Sequence, residues 1–164
     1  MGSKKDLVAW WLAVLLMAAL IAHFSNQPFA DQDLRPELSR RAWLMQRVRT
    51  LPAARFSYDG QQVDSRRDPA GFVQFWVRKG AHVFFYSLLG LLLAQALAAS
   101  GLRGGARWLG AAGLLLVVAA GDEHHQLAVP GRTGRLLDVL IDLAGFGLLA
   151  GIAWLRERHF RFRS

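Results

Sequence analysis

The sequence predicts an all-α fold: a polytopic membrane protein whose four transmembrane helices form an antiparallel bundle, with one extramembrane loop after the first helix. Three observations predict it. Hydrophobic residues make up 53% of the 164 positions and fall into four long blocks, yet the formal net charge is +8. The basic residues occupy short segments between those blocks, the pattern that a bilayer selects. The connections at residues 100–107 and 122–135 are short, which makes the last three blocks antiparallel neighbours. The length suits one unit, residues 1–164, and is too small for two ordinary domains with a linker. Charge distributed in this way reads as contact with anionic headgroups, worth about 1 kcal/mol per basic residue near a charged leaflet. The lipid bilayer is therefore the expected partner, and nucleic acid is not. Cysteine is absent, which excludes disulfides, thiolate metal sites and cysteine nucleophiles.

The first block, residues 7–22, follows Lys4 and Lys5 as a signal peptide would. No small-x-small cleavage site follows it, and His23-Phe24-Ser25-Asn26-Gln27 is bulky and polar, so a retained signal anchor is expected. The second block begins near Phe72 and is uncharged over residues 83–102; the third covers 108–121 and the fourth 136–155. The predicted spans are about 7–24, 76–100, 106–125 and 136–155.

Crossing the hydrocarbon core takes about 20 residues. The third block offers only fourteen uncharged residues before Asp122 and Glu123, and Asp138 and Asp142 leave thirteen in the fourth, residues 143–155. Both deficits fall at the same end, because the third helix stops where the fourth starts. Alternation brings the end of the first helix and the start of the second there too. His23, Ser25, Asn26, Gln27, Arg78, Lys79, His82, Asp122 to Gln126, Arg132, Asp138 and Asp142 thus gather at one face by topology alone. The opposite ends carry Lys4, Lys5, Arg103, Arg107, Arg156, Arg158, Arg161 and Arg163. By the positive-inside rule this predicts cytoplasmic termini in the inner (cytoplasmic) membrane, with the polar cluster outside.

Within the long connection, Leu44, Val48 and Leu51 share a helical face among Arg40, Arg41, Arg47 and Arg49, with Trp43 alongside. A short basic amphipathic helix in the headgroups is expected. After Pro52, an Asp59-Gly60 turn stands between alternating residues 56–63, the signal of a small hairpin, with an unstructured polar loop as the alternative.

On the second helix, 100° per residue brings Arg78, Lys79, His82 and Tyr86 into one stripe. On the third, Asp122, His125 and Gln126 share a face, Glu123 borders it and His124 points away; on the fourth, Asp138, Asp142 and Gly145 stack, the glycine admitting a close neighbour. Pro130-Gly131-Arg132 supplies a turn and a guanidinium suited to phosphate or carboxylate. Three readings follow. The first is an ion-pair network, in which Asp122, Glu123, Asp138 and Asp142 face Arg78, Lys79, Arg132 and Arg135 and only hold the bundle together. The second is a binding site for an anionic headgroup or a polar ligand. The third is a metal-assisted hydrolase or transferase with His82, Asp122, Glu123 and His125 as candidate ligands, and perhaps Asp138, although no fixed-spacing metal motif supports it. Five of the six tryptophans, Trp10, Trp11, Trp76, Trp108 and Trp154, flank the spans as an interfacial belt.

S-N-Q-P after the first helix, R-K-G-A-H-x-x-x-Y-x-x-L-G in the second, D-E-H-H-Q-L-A-V-P-G-R after the third and D-V-L-I-D-L-A-G in the fourth resemble the VanZ-like family. The resemblance covers nearly the whole chain. The matching positions are Ser25, Gln27, Arg78, Lys79, His82, Tyr86, Asp122, Glu123, His125, Gln126, Pro130, Gly131, Arg132, Asp138 and Asp142; Asn26 departs where a second serine is usual, and Ala128 where an aromatic is common. The resemblance implies a cell-envelope membrane protein linked to glycopeptide (teicoplanin) resistance; from the residues of the polar cluster, binding of an anionic headgroup or cell-wall precursor at the outer face is expected. The alternatives are a hydrolase or transferase acting on a phosphate-linked lipid and a structural partner of another membrane complex. Some members of the family carry a phosphotransbutyrylase label, which does not transfer to a chain with no phosphate loop. No cofactor is assigned.

Overall fold

The computed structural model describes residues 3–161, with side chains through His159. In order the elements are α1 (Lys4–Ser25), α2 (Arg35–Arg40), α3 (Ala42–Thr50), the hairpin β1 (Arg55–Tyr58) and β2 (Gln61–Asp64), α4 (Pro69–Ala99), α5 (Gly105–Gln126) and α6 (Leu136–Arg161). Four of these helices, α1, α4, α5 and α6, are long and apolar enough to cross a membrane.

Local chemistry sets the helix ends. Ser3 and Asp6 form a reciprocal capping box that satisfies two of the free N–H groups opening α1. Asp68 accepts from the Gly71 N–H at 2.8 Å, and Pro69 takes the first turn, where its missing N–H costs nothing. That start lies seven residues ahead of the expected boundary at 76 and makes α4 31 residues long. At 1.5 Å per residue it spans roughly 46 Å, against a hydrocarbon core of about 30 Å. The helix is therefore longer than a perpendicular crossing requires.

Helix α4 is the axis of the bundle. It touches α1, α5 and α6, whereas α1 and α6 do not meet among the described residues. Tyr86, Leu89, Leu93, Ala94 and Ala96 of α4 pack with Ala111, Leu115 and Ala119 of α5, Val139 and Phe146 of α6, and Val14 and Ile21 of α1. The Phe146 ring lies over Gly90, where any side chain would collide with it. Leu15, Leu109, Val117 and Leu148 point outward and are exposed, which is costly in water and favourable in lipid.

The connection after α1 is folded. Its strands pair antiparallel with Arg55 opposite Asp64 and Tyr58 opposite Gln61. Asp59 and Gly60 carry φ of 48° and 80°, the two positive values of a type I′ turn. Helix α3 buries Val48 and exposes Trp43. Leu51, expected on the same helical face, lies beyond the helix in extended backbone and is exposed. Pro52 follows it, and the residue before a proline is pushed out of the helical region.

Candidate functional site

The end of α1, the first two thirds of α4, the end of α5 and the start of α6 converge at one end of the bundle, and the hairpin covers it. Lys79, 9% exposed, forms an ion pair with Asp138, 4% exposed. The Tyr58 hydroxyl donates to the same carboxylate oxygen from the hairpin, and the Lys79 ammonium lies 4.3 Å from the centre of the Tyr58 ring. Burial, reinforced by the Asp138 carboxylate, raises the Tyr58 phenol above its ordinary value, so it stays a proton donor at neutral pH.

One turn on, His82 stacks flat on Tyr86, with ring centres 5.7 Å apart. Its Nδ1 lies 3.5 Å from Asp142 Oδ2 and 4.0 Å from Glu123 Oε1. Tyr86 donates to Asp122 at 2.7 Å and Gln126 donates to the same oxygen at 2.8 Å. The Arg135 N–H donates to Glu123 Oε2 at 2.7 Å. Gly145 brings α6 against α4, where an added Cβ would stand 2.8 Å from Ser87 Oγ and Val83. Glu123 Oε1, Asp142 Oδ1 and Ser87 Oγ are buried without a hydrogen-bond partner.

Glu123, expected only at the border of the α5 face, is buried at 5% exposure with Gln126, and Asp122 is half-buried. His125 is exposed and meets Asn26 Oδ1 at 2.6 Å on the rim; His124 is also exposed. Of the four candidate metal ligands, His82 and Glu123 come together and Asp122 and His125 do not join them. Asp138 does, and ligand atoms of His82, Glu123 and Asp138 all lie within 4.8 Å of one another. Ser25 is buried with its hydroxyl unpartnered. Gln27 bridges His23 and Gln32.

A cleft of about 390 Å³ opens beside this cluster. Ile21, Phe24, Leu34, Val77 and Phe85 give it apolar walls, and Arg78, His82, Asp122, Gln126 and Arg132 line its polar part. Arg132 donates to the Phe24 carbonyl at 3.0 Å, and Arg78 lies 5.5 Å from the centre of the Phe29 ring. Neither guanidinium forms an ion pair among the described residues, whose cluster pairs are Lys79 with Asp138 and His82 with Glu123 and Asp142. Burial lowers the Arg132 value, but a guanidinium keeps its charge. Tyr58, Ser87 and, in the cleft wall, Asp31 and Gln32 are polar residues that pattern reading missed. The Asp-Gly turn signalled a hairpin at Tyr58, but not which way the hairpin folds.

A family model described as VanZ/LLP1 matches residues 10–157. No curated protein and no solved structure matches the chain.

Proposed function

The chain belongs to the VanZ/LLP1 family and is a multi-pass membrane protein, and from that premise we propose that its cleft binds the anionic headgroup of a lipid or of a lipid-linked cell-wall precursor. One observation carries the reading: Arg78 and Arg132 line the same apolar-walled cleft, and neither is spent on a carboxylate. A network built only for assembly would pair its bases with its acids. Here only Lys79 of the four bases does so; the Arg135 side chain turns to Thr133, Gln61 and the Tyr58 carbonyl. Two guanidiniums beside Phe24, Leu34 and Phe85 suit a phosphate with acyl or isoprenoid chains, because the bases take the oxygens while the walls take the hydrocarbon.

The cleft faces the outer leaflet of the cytoplasmic membrane in this reading, and the termini are cytoplasmic. The support is the set of short basic flanks, Lys4, Lys5, Arg103, Arg107, Arg156 and Arg158. Glycopeptides and their membrane-anchored targets meet at that surface, which makes a link to glycopeptide resistance coherent. With no native cysteine, a Ser164→Cys variant should resist an impermeant thiol reagent in intact cells, and labelling would reverse the orientation.

The binding test is native mass spectrometry of the full chain released from nanodiscs of mixed phosphatidylglycerol and phosphatidylcholine. Preferential retention of the anionic lipid is expected. The Arg78→Gln/Arg132→Gln double variant, with thermal unfolding as a check on folding, should lose about tenfold of that preference, the effect of roughly 1.4 kcal/mol. Equal retention by the folded double variant would sink the reading.

A further inference from the structure

We propose that His82, Glu123 and Asp138 hold a first-row divalent cation, zinc or manganese, at the polar end of the cleft, with Asp142 as a further carboxylate beside His82. The three ligands come from α4, α5 and α6, and their ligand atoms lie within 4.8 Å of one another. His82 Nδ1 and Glu123 Oε1 are 4.0 Å apart. A cation with bonds of about 2.1 Å draws neighbouring ligands to roughly 3.5 Å, so small side-chain rotations close the set.

Charge gives an independent argument. Glu123, Asp138 and Asp142 are 5%, 4% and 1% exposed, and the one ammonium ion-paired among them is Lys79, on Asp138. Three buried carboxylates against Lys79 and the His82 imidazole leave at least one negative charge that a low-dielectric interior does not tolerate without a further cation or a proton.

The hydrogen bonds favour the cation. Glu123 uses Oε2 to accept from the Arg135 N–H, while its Oε1, beside His82 Nδ1, has no donor. Asp142 likewise has Oδ2 against His82 and Oδ1 unpartnered. Asp138 takes both Lys79 and Tyr58 on Oδ1. Each carboxylate is oriented through one oxygen, the arrangement that outer contacts impose on metal-binding carboxylates. One imidazole with carboxylates favours zinc or manganese over calcium or magnesium, which take oxygen alone, and over copper(I), which prefers sulfur. His82 also lines the cleft, so the cation is reached from there. That it would also polarise a bound phosphate rests on the headgroup reading; the cation site itself does not.

The test uses the full chain, purified in a phosphate-free detergent, stripped with a chelator and titrated with zinc or manganese alone. About one equivalent per chain and a rise in the unfolding temperature are expected. Glu123→Gln and His82→Gln should each weaken binding by tenfold or more, while His125→Ala, on the rim, keeps it. Failure of the wild-type chain to bind either ion overturns the proposal whether or not a variant folds. So does unchanged affinity in folded Glu123→Gln. A higher unfolding temperature for metal-free Glu123→Gln, with no metal bound by the wild type, would assign the charge balance to a shared proton. The Arg78→Gln/Arg132→Gln variant should keep the metal and lose the lipid preference, so the two proposals fail separately.

Discussion

At the end of the bundle where α4 turns into α5, Arg107 pairs with Glu157 of α6, and the Trp11 indole donates to Ser100 Oγ at 3.1 Å. The buried atoms left without partners there are the donors Arg107 Nε and Trp108 Nε1. At the opposite end three buried carboxylates share one ion-paired lysine, oxygens of Glu123 and Asp142 lack donors, and two guanidiniums line a cleft unpaired. The first arrangement closes a helix junction by pairing acid with base. The second pairs its acids incompletely, and buried carboxylate oxygens without donors next to unpaired guanidiniums are the feature on which both proposals rest.

The largest expected effect tests the charge asymmetry. Asp138→Asn strands the buried Lys79 ammonium and weakens the Tyr58 tether, and should cost about 3–5 kcal/mol, read by thermal unfolding in detergent with a chelator present. A wild-type unfolding temperature would show that the two ends tolerate charge alike.

A smaller effect tests packing beneath the cluster. At Gly145 a methyl group would stand 2.8 Å from Ser87 and Val83, whereas at Gly151, on the same helix toward the other end, nothing lies within 4 Å. Gly145→Ala should destabilise by about 1–3 kcal/mol, while Gly151→Ala should be neutral or stabilise by up to about 1 kcal/mol through helix propensity. Matching unfolding temperatures for the two variants would remove the claim that α6 lies tight against α4 at Gly145 and loose at Gly151.

The smallest effect concerns the paired end itself. Glu157 is 36% exposed beside Arg107, and ion pairs open to solvent are worth about 0–1 kcal/mol. Glu157→Gln should therefore shift denaturant unfolding by less than about 1 kcal/mol. A loss as large as that from Asp138→Asn would mean that both ends depend equally on their ion pairs.

The four long helices, their order and the end at which the polar residues collect were legible in the sequence. Span length, short connections and alternation leave few arrangements for apolar blocks in a bilayer. The hairpin was legible as well, because Asp59-Gly60 supplies the positive φ values that a type I′ turn needs. Tertiary structure decided which polar groups meet. Periodicity places a residue on a face of its own helix and leaves the rotation of that helix against its neighbours free, and one residue is worth 100°. That rotation put Glu123 inside and His125 on Asn26 at the rim. It also gave Asp138 to Lys79 and left the adjacent Arg78 in the cleft. Tyr58 reaches Asp138 across 80 positions of chain, a contact that no local pattern encodes, because it depends on where the folded connection packs against the bundle.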